Sequence, residues 1–217
     1  VSFRQDLRGK IGLLVGSLSL YDQQLKQRLN RSKLAALLAV DSRIPYDWRV
    51  PAGAAPQWMR GYSIPTVCVP YLGAVELFKQ MPLQAHVTVA ARTFADTSQN
   101  VIGDVTGTSE PDKVIVVSGH HDSVWANVGA DDNGSGVVFT LEMARLFAGS
   151  RPRRTIRFIS YGVEERLSIG SYLYMRSLTP RQRRGMIFAL NADGVASHMG
   201  PDHVRVTGTP RLEKFLA

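Results

Sequence analysis

The chain has 217 residues, enough for one large domain or two small ones, each with its own core. Its 44% hydrophobic and 20% charged content is that of a globular protein, and no apolar run reaches the ~18–20 residues of a membrane span. The single cysteine, Cys68, excludes an intrachain disulfide and a cysteine-rich zinc site. The net charge of +8 gathers at Arg151, Arg153 and Arg154 and at Arg181, Arg183 and Arg184, without aromatic interleaving, which argues for solvated faces and against a nucleic-acid partner.

In chain order, Lys10-Ile11-Gly12-Leu13-Leu14-Val15 predicts a strand closed by Gly16, Tyr21 to about Leu29 a polar helix, and Leu37 to Val40 a second strand. Pro45, Pro51 and Pro56 make residues 41–61 a loop. A strand over Ile64–Val69, with Cys68 as a small buried hydrophobe, a short helix over Gly73–Lys79 and a strand over His86–Ala90 complete a small α/β unit. The β-branched run Val114–Val117 predicts a strand buried on both faces. It is followed by a helix over Ser135–Phe147, with Val137, Leu141 and Ala144 at helical spacing and a stop near Gly149. A strand over Ile156–Ser160 and a helix over Ile169–Leu178 come next. Thr179-Pro180 is an N-cap with proline at the first helical position, and Met186–Leu190 is a third strand. Alternating strands and helices at this spacing make the fold class α/β, a mostly parallel sheet flanked by helices.

Three of these strands run into Gly119-His120-His121-Asp122-Ser123, Tyr161-Gly162-Val163-Glu164-Glu165 and Asn191-Ala192-Asp193. A fourth segment, Gly129-Ala130-Asp131-Asp132-Asn133-Gly134-Ser135-Gly136, precedes a helix. Parallel sheets place sites outside the carboxyl ends of their strands, so all four segments converge on one crevice. One imidazole with several carboxylates suits a divalent metal, zinc foremost. His120 and Asp122, two apart, point the same way, so the Asp122 carboxylate is expected to hold the second ring nitrogen of His120. Glu164 and Glu165 point apart, so one can ligate while the other serves as general base. His121 reads as packing; His86, His198 and His203 read as ordinary surface or strand histidines. Spacing alone leaves open which of Asp131 and Asp132 holds metal.

The order of these segments over residues 100–193 closely resembles the zinc peptidase family that includes bacterial aminopeptidases, glutamate carboxypeptidase II and the transferrin receptor. The resemblance implies a metal-dependent exopeptidase, an aminopeptidase first, cleaving peptide substrates with a di-zinc-activated water. It implies that His120 and Asp193 bind one zinc, Glu165 the other, and Asp131 both, with Glu164 as base and Asp122 supporting His120. It also implies a cis peptide between Asp131 and Asp132, making Asp132 structural, and a secreted or periplasmic protein. Alternatives are a carboxypeptidase of the same family, a receptor-like homologue without catalysis, and a single-zinc cyclase of the glutaminyl type.

Residues 1–92 are expected to form a protease-associated-like domain, by the resemblance of Gly9-Lys10-Ile11 and Ser63-Ile64-Pro65-Thr66-Val67, and residues 93–217 the peptidase domain. Arg166-Leu167-Ser168-Ile169 departs from the Gln-Gly-Leu-Leu of many relatives, so the pocket edge differs there. The family's last zinc ligand is a histidine well beyond the Asn-x-Asp strand, and a first residue other than Met marks the chain as an expected fragment of a longer precursor. On this count the 217 residues alone are expected to hold at most one zinc firmly, to aggregate and to be inactive.

Overall fold

The structure is a computed structural model that describes residues 6–16, 22–40, 62–90, 92, 94–124, 127–196, 204–208, 212 and 214. The expected loop over 41–61, His198 and His203 lie outside the described residues. The chain divides into two compact units, Val1–Thr97 and Ser98–Ala217.

In the first unit β1 (Ile11–Val15), β2 (Ala36–Val40) and β3 (Thr66–Val69) form a parallel sheet in that order, with Leu13 opposite Leu38 and Ala39 opposite Cys68. The helix α1 (Gln23–Arg31) starts where the Asp22 carboxylate accepts the Gln24 and Leu25 amides. Leu25 and Leu29, one turn apart, pack with Leu34, Leu37, Ala39 and Ile64, and the half-buried Cys68 lies against this core. A second helix, α2 (Tyr71–Lys79), follows β3. No strand forms over His86–Ala90: the period-two pattern is present, but Val89 is 54% exposed and the segment has no regular structure.

The second unit holds β4 (Val101–Val105), β5 (Glu110–His120), β6 (Arg154–Tyr161) and β7 (Met186–Asn191) in the order β4-β6-β5-β7. β5 pairs in parallel with β6 and β7, while β4, which the sequence does not announce, runs antiparallel on β6. Alternation along the strands feeds two cores. Val117, Ile156 and Phe158 face α3 (Gly136–Phe147), whereas Val116 and Ile159 meet Tyr174 and Leu178 from and just after α4 (Ile169–Ser177). On α3 the packed stripe is Phe139, Thr140, Met143, Ala144 and Phe147, and the expected Leu141 is 64% exposed. That stripe is set where α3 begins: Gly136 passes so close to the Ala192 carbonyl and the Asn133 side chain that a Cβ would collide with both. The short α5 (Pro180–Gly185) carries the N-cap foreseen at Thr179-Pro180, and Gln182 completes it as a capping box. Of the basic clusters, Arg153 and Arg154 both pair with Glu110, holding its carboxyl below the ordinary value, and Arg181 pairs with Asp112.

Candidate metal centre

Strand register assembles the site. His120 stands opposite Tyr161 and Ser118 opposite Asn191, so the carboxyl ends of β5, β6 and β7 lie side by side. The chain leaves β5 for β6 and then returns across it to β7, and the crevice opens at this reversal.

His120 is the floor, with its side chain only 3% exposed. Its Nδ1 lies 3.0 Å from the main-chain carbonyl of Asp122 and 3.5 Å from that residue's carboxylate. A carbonyl only accepts, so Nδ1 donates to it and Nε2 is the ring nitrogen turned to the crevice. Facing Nε2 are Asp132 at 3.1 Å, Asp193 at 3.4 Å and Glu164 at 3.9 Å. One ligand atom each from His120, Asp132 and Asp193 lies within 4.8 Å of the others.

The Asp122 carboxylate stands beside Nδ1 of His120 as expected, at 3.5 Å, with the Asp122 carbonyl closer at 3.0 Å. The carboxylate does something else as well: Oδ1 accepts the Glu164 amide at 2.9 Å and Oδ2 the Glu165 amide at 3.1 Å. Asp122 thus fixes the backbone of the Glu pair. Asn100 ties the same loop at both feet, accepting the Gly162 amide and donating to the Gly170 carbonyl. Glu165 accepts the Val124 amide at 3.1 Å and lies outside the three-atom group. His121 turns away and meets Ser160 Oγ at 3.0 Å.

The Asp pair departs from expectation. Asp132, not Asp131, stands at His120, and the cis peptide joins Asp132 to Asn133. Asp131 instead accepts the Ala196 amide on Oδ1, and its carbonyl accepts Ser135 Oγ. The pair sits on an irregular turn, Ala130–Ser135, entered through Gly129 at φ +64°. Successive side chains there diverge, so one member reaches the crevice while the other braces the turn after Asp193. Asn133, buried beneath, donates to the Ala192 carbonyl and accepts the Gly136 and Gly194 amides. Its part is visible in sequence only as a polar residue three before a helix-opening glycine.

Electrostatically the group is overcrowded with negative charge. Burial, reinforced by Asp132 and Glu164 and opposed by His120, raises the Asp193 pKa. Burial, Asp132, Glu164 and Asp122 raise that of Glu165, again against His120. For His120 burial disfavours the imidazolium, but Asp193, Glu164, the Asp122 carbonyl and Asp132 outweigh it and lift its pKa. One imidazole nitrogen converging with several carboxylates makes a cation site, and this nitrogen-and-oxygen donor set fits zinc. A cavity of about 240 Å³ opens beside the group, lined by Ser118, Tyr161, Ser168 and Ser171 among others. The Tyr161 phenol is pushed up to about 12 by burial and by Tyr174, so it remains a neutral hydroxyl at pH 7.

Residues 100–214 match the model of the family described as peptidase family M28. An aminopeptidase of Pseudomonas aeruginosa is 34% identical over 135 residues, covering 62% of this chain and 25% of its own length. Carboxypeptidase Q of Mus musculus is 35% identical over 120 residues, or 52% of this chain and 25% of its own. Among solved structures, the aminopeptidase from Aneurinibacillus sp. strain AM-1 superposes with a TM-score of 0.66 at 27% identity, over 90% of this chain and 48% of that one. The matched stretch thus spans a quarter of the length of these curated relatives.

Proposed function

This chain belongs to peptidase family M28, and from that premise we propose that it carries the metal-binding core of a zinc exopeptidase acting on peptides, an aminopeptidase. The observation that carries the reading is Nε2 of the buried His120 facing Asp132 and Asp193, with the Glu164 carboxylate 3.9 Å away. His120, Asp132 and Asp193 would hold zinc, and Glu165 beside them would contribute to a second ion. When bound, zinc supplies Lewis acidity and makes a coordinated water acidic near neutral pH.

The remaining work falls to the protein. Glu164 accepts a proton from the attacking water and passes it to the amine leaving group as the peptide C–N bond breaks. Asp122, accepting both Glu amides, keeps the base and the neighbouring ligand in register. The unit Val1–Thr97, with its parallel β1-β2-β3 sheet, is proposed as a protease-associated-like module. Gly9-Lys10-Ile11 leading into β1 and Ser63-Ile64-Pro65 leading into β3 support that assignment.

Product analysis of the full-length protein on peptides blocked at one end or the other tests the reaction. An aminopeptidase releases the first residue only from peptides with a free amino terminus. Release only from a free carboxyl terminus would transfer the protein to the carboxypeptidases, and no cleavage of either would favour a receptor-like homologue. Glu164→Gln should lower turnover by about 10²–10⁴-fold while zinc stays bound, because the base is lost and the ligands remain.

A further inference from the structure

We propose that Ser168 is a positioning residue for Glu164, its hydroxyl holding the carboxylate so that one oxygen faces the metal cleft. The proposal rests on the reading of Glu164 as the general base. Ser168 Oγ donates to Glu164 Oε1 at 2.9 Å, and the Ser168 amide donates to the Glu164 carbonyl at 2.7 Å. Side chain and backbone of Glu164 are therefore both gripped from one residue, and the free oxygen, Oε2, is the one 3.9 Å from His120 Nε2.

Two further features set this serine apart from a bystander. It occupies the residue before α4, where a serine hydroxyl ordinarily accepts an amide of the first helical turn, yet its side chain caps nothing and is turned to Glu164 instead. Leu167 and Ser168 also lie in the left-handed region, at φ +69° and +53°. Two successive side-chain-bearing residues there are unfavourable, and glycine would adopt the conformation freely. In that conformation the serine places a hydroxyl on Glu164, which glycine could not supply. The Ser168 carbonyl accepts the Tyr172 amide at 3.0 Å and Ser171 Oγ at 3.1 Å, so the hydroxyl is mounted on the first turn of α4. Ser168 and Glu164 both line the cavity beside His120 and Asp193.

The test compares Ser168→Gly and Ser168→Ala with the parent full-length protein, measuring kcat and KM on a chromogenic aminoacyl anilide, zinc content and melting temperature. Glycine suits the backbone, so it removes the hydroxyl without adding strain. Both variants should lose about 10- to 100-fold in kcat, with KM, zinc content and melting temperature near those of the parent. Parental kcat in Ser168→Gly would overturn the proposal, because the hydroxyl would then be dispensable. So would a kcat loss that appears only together with zinc loss, since Ser168 would then be shaping the metal site as a whole. Glu164→Gln, assayed alongside, separates the two readings. If it retains turnover, the base is elsewhere and both fall; if it is inactive while Ser168→Gly is not, only the positioning role falls.

Discussion

At Asn133 a single side chain joins three backbone segments. It is 1% exposed, and its amide nitrogen and oxygen reach the Ala192 carbonyl and the Gly136 and Gly194 amides. Removing it leaves three backbone groups without that partner in a space too small for easy relaxation. Asn133→Ala should therefore lower the unfolding free energy of the full-length protein by about 2–4 kcal/mol. Asn133→Asp should cost at least as much, because it sets a buried carboxylate against the Ala192 carbonyl. Urea unfolding checks both, and a change within about 0.5 kcal/mol would show that the staple carries no weight. Residue identity at this turn is only half legible in sequence. The Asp pair is plainly a site feature, but which member faces His120 depends on the path through Gly129, and an irregular path has no periodicity to read.

At the scale of elements, β4 is held on the sheet by a cross-strand ion pair. Arg157 donates from Nε and Nη2 to the two oxygens of Asp104, at 2.8 Å and 2.6 Å, and from Nη1 to Tyr174 Oη at 2.9 Å. The partners are direct neighbours in the antiparallel register, and the tyrosine extends the link to α4. Hydrogen bonding to Asp104, countered by burial, raises the Arg157 pKa further, so the guanidinium is charged at any working pH. Arg157→Leu should cost about 1–3 kcal/mol in urea unfolding, most of it recovered as coupling in a double-mutant cycle with Asp104→Asn. Additive losses would mean that the pair is ornamental to stability. Strand β4 itself is hard to read from sequence. Val101-Ile102-Gly103-Asp104-Val105 has neither a clean alternation nor a continuous apolar run, and its partner is remote in the chain. By contrast, α5 is legible because Thr179, Pro180 and Gln182 write both halves of a cap locally. The reverse error at His86–Ala90 has the same origin: alternation without a described neighbouring strand to complete the ladder.

Across the whole molecule, convergence is the readable part. His120, Asp132, Glu164 and Asp193 are far apart in sequence, yet each follows or adjoins one of the mutually parallel strands β5, β6 and β7, so their meeting follows from topology before any side chain is placed. Among the described residues no helix is long and apolar enough to cross a membrane. What topology leaves undecided is the ligand set, and there the geometry favours Asp132 over Asp131. Zinc content of the full-length protein, measured beside Asp131→Ala and Asp132→Ala, tests the central claim most directly. The parent should hold about two zinc ions per chain, Asp131→Ala should keep them, and Asp132→Ala should lose zinc along with hydrolysis. A parent without zinc, or an Asp132→Ala variant that binds as the parent does while Asp131→Ala fails, would contradict it.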